Sequence, residues 1–404
     1  MRKVLAQALG AALVYAAAAG SAFGQTPPAE REAVRQEIEQ LREEFNQLRR
    51  QYDERLTALE LRLTALAPQA PAQTASVDGG TLPVYGNVTA LSKIFNPDIA
   101  VIGNFVGAAG HHPRDPRPSL DLREVEASLQ AVVDPYARAD FFFGFSRDGV
   151  EIEEGYLTFP ALPGGLLARA GKFRSAFGRV NPMHVHILPW IDRPLVSQNL
   201  LGGDEGLAAA GLAAARLVPN PWVFLEITGE LSAAGRSELG YLARARGYRD
   251  VSESANLDLG FSWFSGAASS DAADASASTR IIGIDGTFRY RPLRRAIYQR
   301  FAARTELVWR REDANVASAF GAYAGAEYQL ARRWLTGARW DYSQRAFDPR
   351  AKDTGASWML TFWPSEFSQI RGQYRRTRYA EGETANDLLL QLLFSIGAHG
   401  AHPF

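Results

Sequence analysis

The chain contains no cysteine, so neither a disulfide framework nor a thiolate metal site is open to it. Surplus charge is absent too, because 44 Lys and Arg balance 44 Asp and Glu. With no cationic excess to neutralise phosphates, nucleic acid is excluded as a partner. Past residue 24 there is no uncharged apolar run of about 18 residues, the length a membrane helix needs. The longest candidates, Gly206 to Ala215 and Leu388 to Leu393, fall well short. A helical membrane protein is therefore excluded. No Gly-rich phosphate-cradling loop occurs, and Ser197 downstream of His186 has no supporting catalytic motif, so neither a cofactor nor an enzyme activity is expected. What the chain does have is 46% hydrophobic and 11% aromatic residues. That is enough to bury a large core or to clothe a large apolar surface.

The first residues point to export. A cationic start at Arg2 and Lys3, an Ala-rich apolar stretch from Val4 to Ala19, and small residues at Ala22 and Gly24 read as a signal peptide over residues 1–24. Residues 25–66 then turn to Glu, Arg, Gln and Leu. Val34, Ile38, Leu41, Phe45, Leu48 and Tyr52 step by four and three, the seam of a coiled coil. Leu56, Leu59, Leu63 and Leu66 resume the steps after a four-residue stutter. A coiled coil needs partners, so a homo-oligomer, a trimer for preference, is expected. Residues 67–83, rich in Pro, Ala, Gly and Ser, read as a flexible linker.

From Val84 to Phe404 the period changes to two. Val125, Ala127, Leu129, Ala131 and Val133 alternate with Glu124, Glu126, Ser128 and Gln130. Val223, Leu225, Ile227 and Leu231 alternate with Glu226, Thr228 and Glu230. The segments are about ten residues long, as a tilted strand crossing a bilayer requires. Aromatics such as Trp222, Trp309, Trp334, Trp340, Trp358 and Phe362 fall on the apolar face, where interfacial girdles would place them near strand ends. Tight connectors (Asp134-Pro135-Tyr136, Pro219-Asn220-Pro221, Pro364-Ser365-Glu366) come between longer ones such as Gly110 to Ser119 and Ser175 to Gly206. Together these features predict an all-β fold, a transmembrane antiparallel β-barrel over residues 84–404 behind an α-helical coiled coil. Fifteen strands are visible, and both termini on one side demand an even number. An extra strand around Glu238 to Gly247 gives sixteen, with fourteen as the alternative. Sixteen strands leave room for a channel. The terminal Phe404, in phase with Leu388, Leu390, Leu392, Phe394 and Ile396, resembles the insertion signal of bacterial outer-membrane barrels, which would make the barrel assembly machinery a partner.

Gly171-Lys172-Phe173-Arg174, then Phe177-Gly178, with Glu153-Glu154-Gly155-Tyr156 on the preceding strand, resembles the strand pair of the phosphate-selective (O/P type) porins. The resemblance implies a signal peptide, a coiled-coil amino terminus and a trimeric sixteen-stranded barrel. The Arg and Lys ladder that sets phosphate specificity in that family has no residue-by-residue match here.

Alternation places Glu124, Glu126, Arg138, Asp140, Glu226, Glu230, Arg304, Arg310, Arg339, Arg371 and Arg375 toward the lumen. The early strands are mainly acidic and the later ones mainly basic, so opposite walls would carry opposite charge. The long connector Ser175 to Gly206 carries Arg179, His184, His186, Trp190, Asp192 and Arg193 and is the candidate constriction loop. His184 and His186 share a face of an extended segment and are the candidate metal ligands, although no third ligand stands at a matching spacing. The expected function is an outer-membrane porin for passive diffusion of small hydrophilic or charged solutes. It would lie in the outer-membrane lipid of a Gram-negative bacterium with its coiled coil in the periplasm. The alternatives are a structural tether to the peptidoglycan and a metal-ion uptake channel.

Overall fold

The computed structural model describes residues 97–114, 119–147, 149–234, 238–266, 278–312 and 318–397, together with Glu43. The chain divides into two units, Met1–Val84 and Tyr85–Phe404. The signal peptide, the coiled coil, the linker, Phe404 and the His399/His402 pair lie outside the described residues.

Sixteen strands follow one another around a closed barrel. They are β1 (Asp98–His111), β2 (Leu120–Asp134), β3 (Ala137–Ser146), β4 (Gly149–Leu162), β5 (Leu166–Arg174), β6 (Ala208–Val218), β7 (Phe224–Ala234), β8 (Glu238–Ser252), β9 (Ala255–Gly266), β10 (Thr279–Tyr290), β11 (Phe301–Glu312), β12 (Ala319–Ala331), β13 (Trp334–Gln344), β14 (Lys352–Ser365), β15 (Ser368–Arg378) and β16 (Thr384–Gly397). Every neighbouring pair is antiparallel. The ring closes where β1 meets β16, with Ala100 opposite Gly397, so the first and last strands have their free ends at the same rim. The strand needed for parity is β8.

The wall is polar inside and apolar outside, the reverse of a soluble protein. Asp341 and Gln391 on the inner face are 1% and 0% exposed, whereas Phe261 and Trp340 on the outer face are 49% and 53% exposed. Trp334 and Phe362 meet at 4.7 Å on the rim where the tight turns lie. Trp340 and Trp358, expected near strand ends, sit in mid-strand, away from the rim where Trp334 and Phe362 meet.

Two β-bulges change which side chains face inward. Opposite Phe142 and Phe143 of β3, one residue of β4 has no partner, and both Glu153 and Glu154 turn into the lumen. A second bulge opposite Asn104 and Phe105 leaves Arg123 of β2 unpaired in the ladder, and its side chain reaches inward to the Ile191 carbonyl at 3.0 Å. An extra residue resets alternation locally, so successive side chains can share a face.

The lumen is not uniformly wet. Phe177, Val180, Leu188, Trp190, Val196 and Leu200 of the loop between β5 and β6 pack against inward residues Leu242, Phe264, Ile281, Val308, Tyr323, Leu335 and Met359. This apolar cluster inside the barrel departs from the expectation of a purely polar inner face. The wall also makes room for it: a Cβ on Gly325 would stand 2.4 Å from the Trp190 ring.

Candidate functional site

The β5–β6 loop folds into the barrel. Its neck is closed by the Ser175 N–H donating to the Leu207 carbonyl at 2.8 Å. Asn181 completes the closure, its amide donating to the Ser175 and Leu207 carbonyls and its oxygen accepting from the Leu207 N–H. Gly206, at φ +66°, is required there, because a Cβ would meet the Asn181 oxygen at 2.3 Å. The loop contains a 3-10 turn, Val185–Ile187, and one short helix, α1 (Leu195–Leu200).

Wall side chains then hold loop backbone at many points. Glu230 accepts from the Ala176 N–H at 2.9 Å, and Ser262 from the Gly178 N–H at 3.1 Å. Glu306 accepts from the Arg179 and Val180 N–H groups, and Asp341 from the Leu195 N–H. Arg310 donates to the Leu200 carbonyl and Arg371 to the Leu188 carbonyl. Buried backbone groups must find partners, and this loop finds them on strands around most of the ring. It therefore spans the lumen.

Its two charged attachments are opposite in sign. His184, between β2 and β4, presents Nδ1 to Glu153 Oε2 at 3.1 Å and Nε2 to Glu154 Oε2 at 2.9 Å, with Phe142 lying 5.0 Å from its ring centre. Burial opposes charge on this imidazole, but contacts with Glu126, Glu153 and Glu154 outweigh it and hold the pKa well above the ordinary value. Further along, Asp192 accepts from Arg339 at 2.8 Å, from Arg375 at 3.0 Å and from Gln373 at 2.5 Å. Burial would raise the Asp192 pKa, yet Arg339 and Arg375 hold the carboxyl far below the usual range.

The structure thus divides the residues singled out in the loop. Trp190 and Arg193 are 0% and 1% exposed. Trp190 stacks edge-on against Tyr323 under the Arg339 guanidinium, while Arg193 donates to the Val180 and Met183 carbonyls. With Asp192 and His184, these residues fasten the loop instead of lining an aperture, because they are buried against the wall or the loop itself. Arg179 and His186 alone of the six line the cavity beside the loop.

That cavity, about 510 Å³, lies between the loop and the turn-side rim. Eight arginines line it, Arg179, Arg244, Arg246, Arg289, Arg291, Arg300, Arg304 and Arg371, against three glutamates, Glu226, Glu327 and Glu366. Asp258 behind the lining is shared: Arg246 grips it with two bonds of 2.9 and 2.6 Å, while Arg289 and Arg179 each stand 3.7 Å away. Arg304 donates to Glu327. Burial, followed by the neighbouring Arg289, pushes the Arg179 pKa down to about 10. The inward arginines Arg310, Arg339, Arg371 and Arg375 are bound to the loop or its anchors, so the basic wall of the later strands works mainly as fastening. Of the inward residues on the early strands, Glu124 and Glu126 gather near His184, Arg138 pairs with Asp140 at 2.8 Å, and Glu226 reaches the cavity. Arg244, Arg246, Arg291 and Arg300 were not singled out by sequence. Arg244 and Arg246 belong to the strand with the weakest pattern, and the other two flank the β10–β11 turn.

No family model matches the sequence. A protein of Aquifex aeolicus (strain VF5) described as uncharacterized is 29% identical over 364 residues, covering 78% of this chain and 76% of the relative. Among solved structures, Pseudomonas putida OprB at high pH superposes with a TM-score of 0.55 at 10% identity, over 76% of this chain and 95% of that one. The anion-selective porin from Comamonas acidovorans gives 0.52 at 10% identity, over 74% and 99%. The outer membrane channel DcaP of Acinetobacter baumannii gives 0.51 at 11% identity, over 74% and 96%. At these identities the likeness is one of fold: the chain is a closed sixteen-stranded antiparallel barrel of the kind that outer-membrane porins and channels share.

Proposed function

We propose that the protein is an outer-membrane porin of a Gram-negative bacterium, a passive diffusion channel for small hydrophilic solutes that favours anions. The observation that carries this reading is the inverted wall, apolar outward and polar inward, enclosing a loop that narrows the lumen above an arginine-rich vestibule. A surplus of guanidiniums in a walled space focuses a positive potential and raises the local concentration of anions. Arginine presents its donors in a fixed fork that suits carboxylate and phosphate groups as a class, and the proposal extends to no single one of them. The coiled coil of residues 25–66 trimerises the barrels from the periplasm across the linker of residues 67–83.

Planar-bilayer recording of the purified protein tests this. The expected result is stepwise conductance in closely spaced triplets, with a reversal potential in a KCl gradient of the sign that reports chloride flux. An electrically silent protein overturns the channel, and the opposite sign overturns the anion preference.

A further inference from the structure

The landing place of His184 has an excess of acceptors over protons. Glu126 Oε2, Glu153 Oε2 and His184 Nδ1 all lie within 4.8 Å of one another. His184 Nδ1 is 3.0 Å from Glu126 Oε2 and 3.1 Å from Glu153 Oε2, and His186 Nδ1 is 3.2 Å from Glu126 Oε2. One imidazole nitrogen carries at most one hydrogen, so Nδ1 can donate to one of its two carboxylates. Glu126 is 4% exposed, and its Oε2, aimed into the middle of the group, is met only by the two imidazole Nδ1 atoms, neither of them in hydrogen-bond geometry.

The spacings have a simpler origin. Ligands around a metal at about 2.1 Å stand about 3.0 Å from one another at the corners of an octahedron. The far nitrogen of the imidazole completes the pattern: His184 Nε2 lies 2.9 Å from Glu154 Oε2, as in the carboxylate–histidine–metal arrangement that orients ligating histidines. The β4 bulge makes this possible, since it turns Glu153 toward Nδ1 and Glu154 toward Nε2 of the same ring.

We infer that Glu126, Glu153 and His184, with His186 at their margin, bind a divalent transition-metal cation that fastens the inward loop to the β2–β4 wall. Two carboxylate oxygens with an imidazole nitrogen suit Zn²⁺, Mn²⁺ or Co²⁺, whereas Ca²⁺ is bound through oxygen alone. The ion is structural and not in transit, because only His186 of this group touches the cavity. When bound, it takes the place of the proton that the imidazole otherwise holds between the carboxylates.

The test uses the untagged full chain in detergent, stripped with EDTA and titrated with Co²⁺, whose visible absorption reports nitrogen and oxygen ligation. One Co²⁺ per chain, displaced by Zn²⁺, and a higher urea midpoint when loaded are expected. Glu126→Gln and His184→Asn each abolish the absorption. Glu154→Gln, a positioning change, weakens binding by about 10–100-fold. Absence of Co²⁺ absorption in the unaltered, heat-modifiable barrel overturns the site, as do bands that survive both ligand substitutions. Since the reading is binding and not current, a metal-loaded but silent protein would sink only the channel, and a conducting protein without metal only this site.

Discussion

Where the inward loop meets β2 and β4 it places an imidazole among carboxylates; where it meets β13 and β15 it places a carboxylate among guanidiniums. The second attachment is complete in itself. The Asp192 carboxylate takes one bond each from Arg339 and Arg375, its carbonyl takes another from Arg339 at 3.1 Å, and further donors of those arginines reach Asp341 at 2.7 Å and Asp387 at 2.7 and 3.0 Å. The first is oversupplied with acceptors and closes only around a proton or a metal ion. The two attachments of one loop therefore respond to different conditions, the one at Asp192 chiefly to its protein partners and the one at His184 to what the medium supplies near neutrality.

The largest effect is expected at the self-sufficient end. Asp192→Ala leaves two buried guanidiniums short of their shared acceptor, and removing one partner of a buried ion pair costs about 3–5 kcal/mol. The urea midpoint at neutral pH should fall accordingly, and single-channel conductance should rise as the loop lifts from the β13–β15 wall. An unchanged midpoint would mean that Asp341 and Asp387 hold those arginines without help, and the contrast between the two attachments would fail.

In pH the two ends separate by sign. The His184 pKa is raised in the folded protein, so its contribution is fully present below about pH 6.5, the ordinary value, and is lost as pH climbs through the raised one. The Asp192 pKa is lowered, so its contribution is present above about pH 3.9 and disappears only as pH drops through the depressed value. In metal-free buffer the difference in urea midpoint between wild type and His184→Gln should shrink as pH rises above neutrality. The difference for Asp192→Asn should persist there and shrink only in strong acid. Parallel curves for the two variants would remove the distinction.

How much of this was legible in the sequence depends on where the apolar contrast lies. In β7, Ile227 faces outward and Glu230 inward, and plain alternation placed both. Strand β8 was visible only through parity because its contrast is diluted: Ala243, Ala245 and Gly247 stand on the outer face, while Leu242 turns inward to join the loop's apolar cluster. The acid side of the His184 attachment was hidden for another reason. Adjacent Glu153 and Glu154 read as one residue inside and one outside, and only the bulge opposite β3 brings both inward. Bulges depend on pairing between strands, which one strand's periodicity does not encode. The long loop announced itself by length and by its polar, aromatic content. That Trp190, Asp192 and Arg193 would be buried as fastenings could not be read, because it depends on Gly325, Tyr323, Arg339 and Arg375, far away in sequence.

The smallest expected effect concerns the vestibule, which shares the basic character of the Asp192 side but is open to solute. Arg289 lines it and lies 3.7 Å from Asp258, an acid already gripped by Arg246. Apart from one long bond of 3.3 Å to the neutral Asn256 amide oxygen, its charge is available to a passing ion. Removing one such charge about 4 Å from the solute path changes an ion's energy by about 1 kcal/mol in water-like screening, and less at high salt. Arg289→Ala should thus move the reversal potential in a salt gradient toward cations and leave the urea midpoint nearly unchanged. Arg376→Ala, which removes the same charge from the exposed outer face of β15, should move neither. Equal shifts from both substitutions would show that selectivity follows the overall charge of the barrel and not the vestibule beneath the loop.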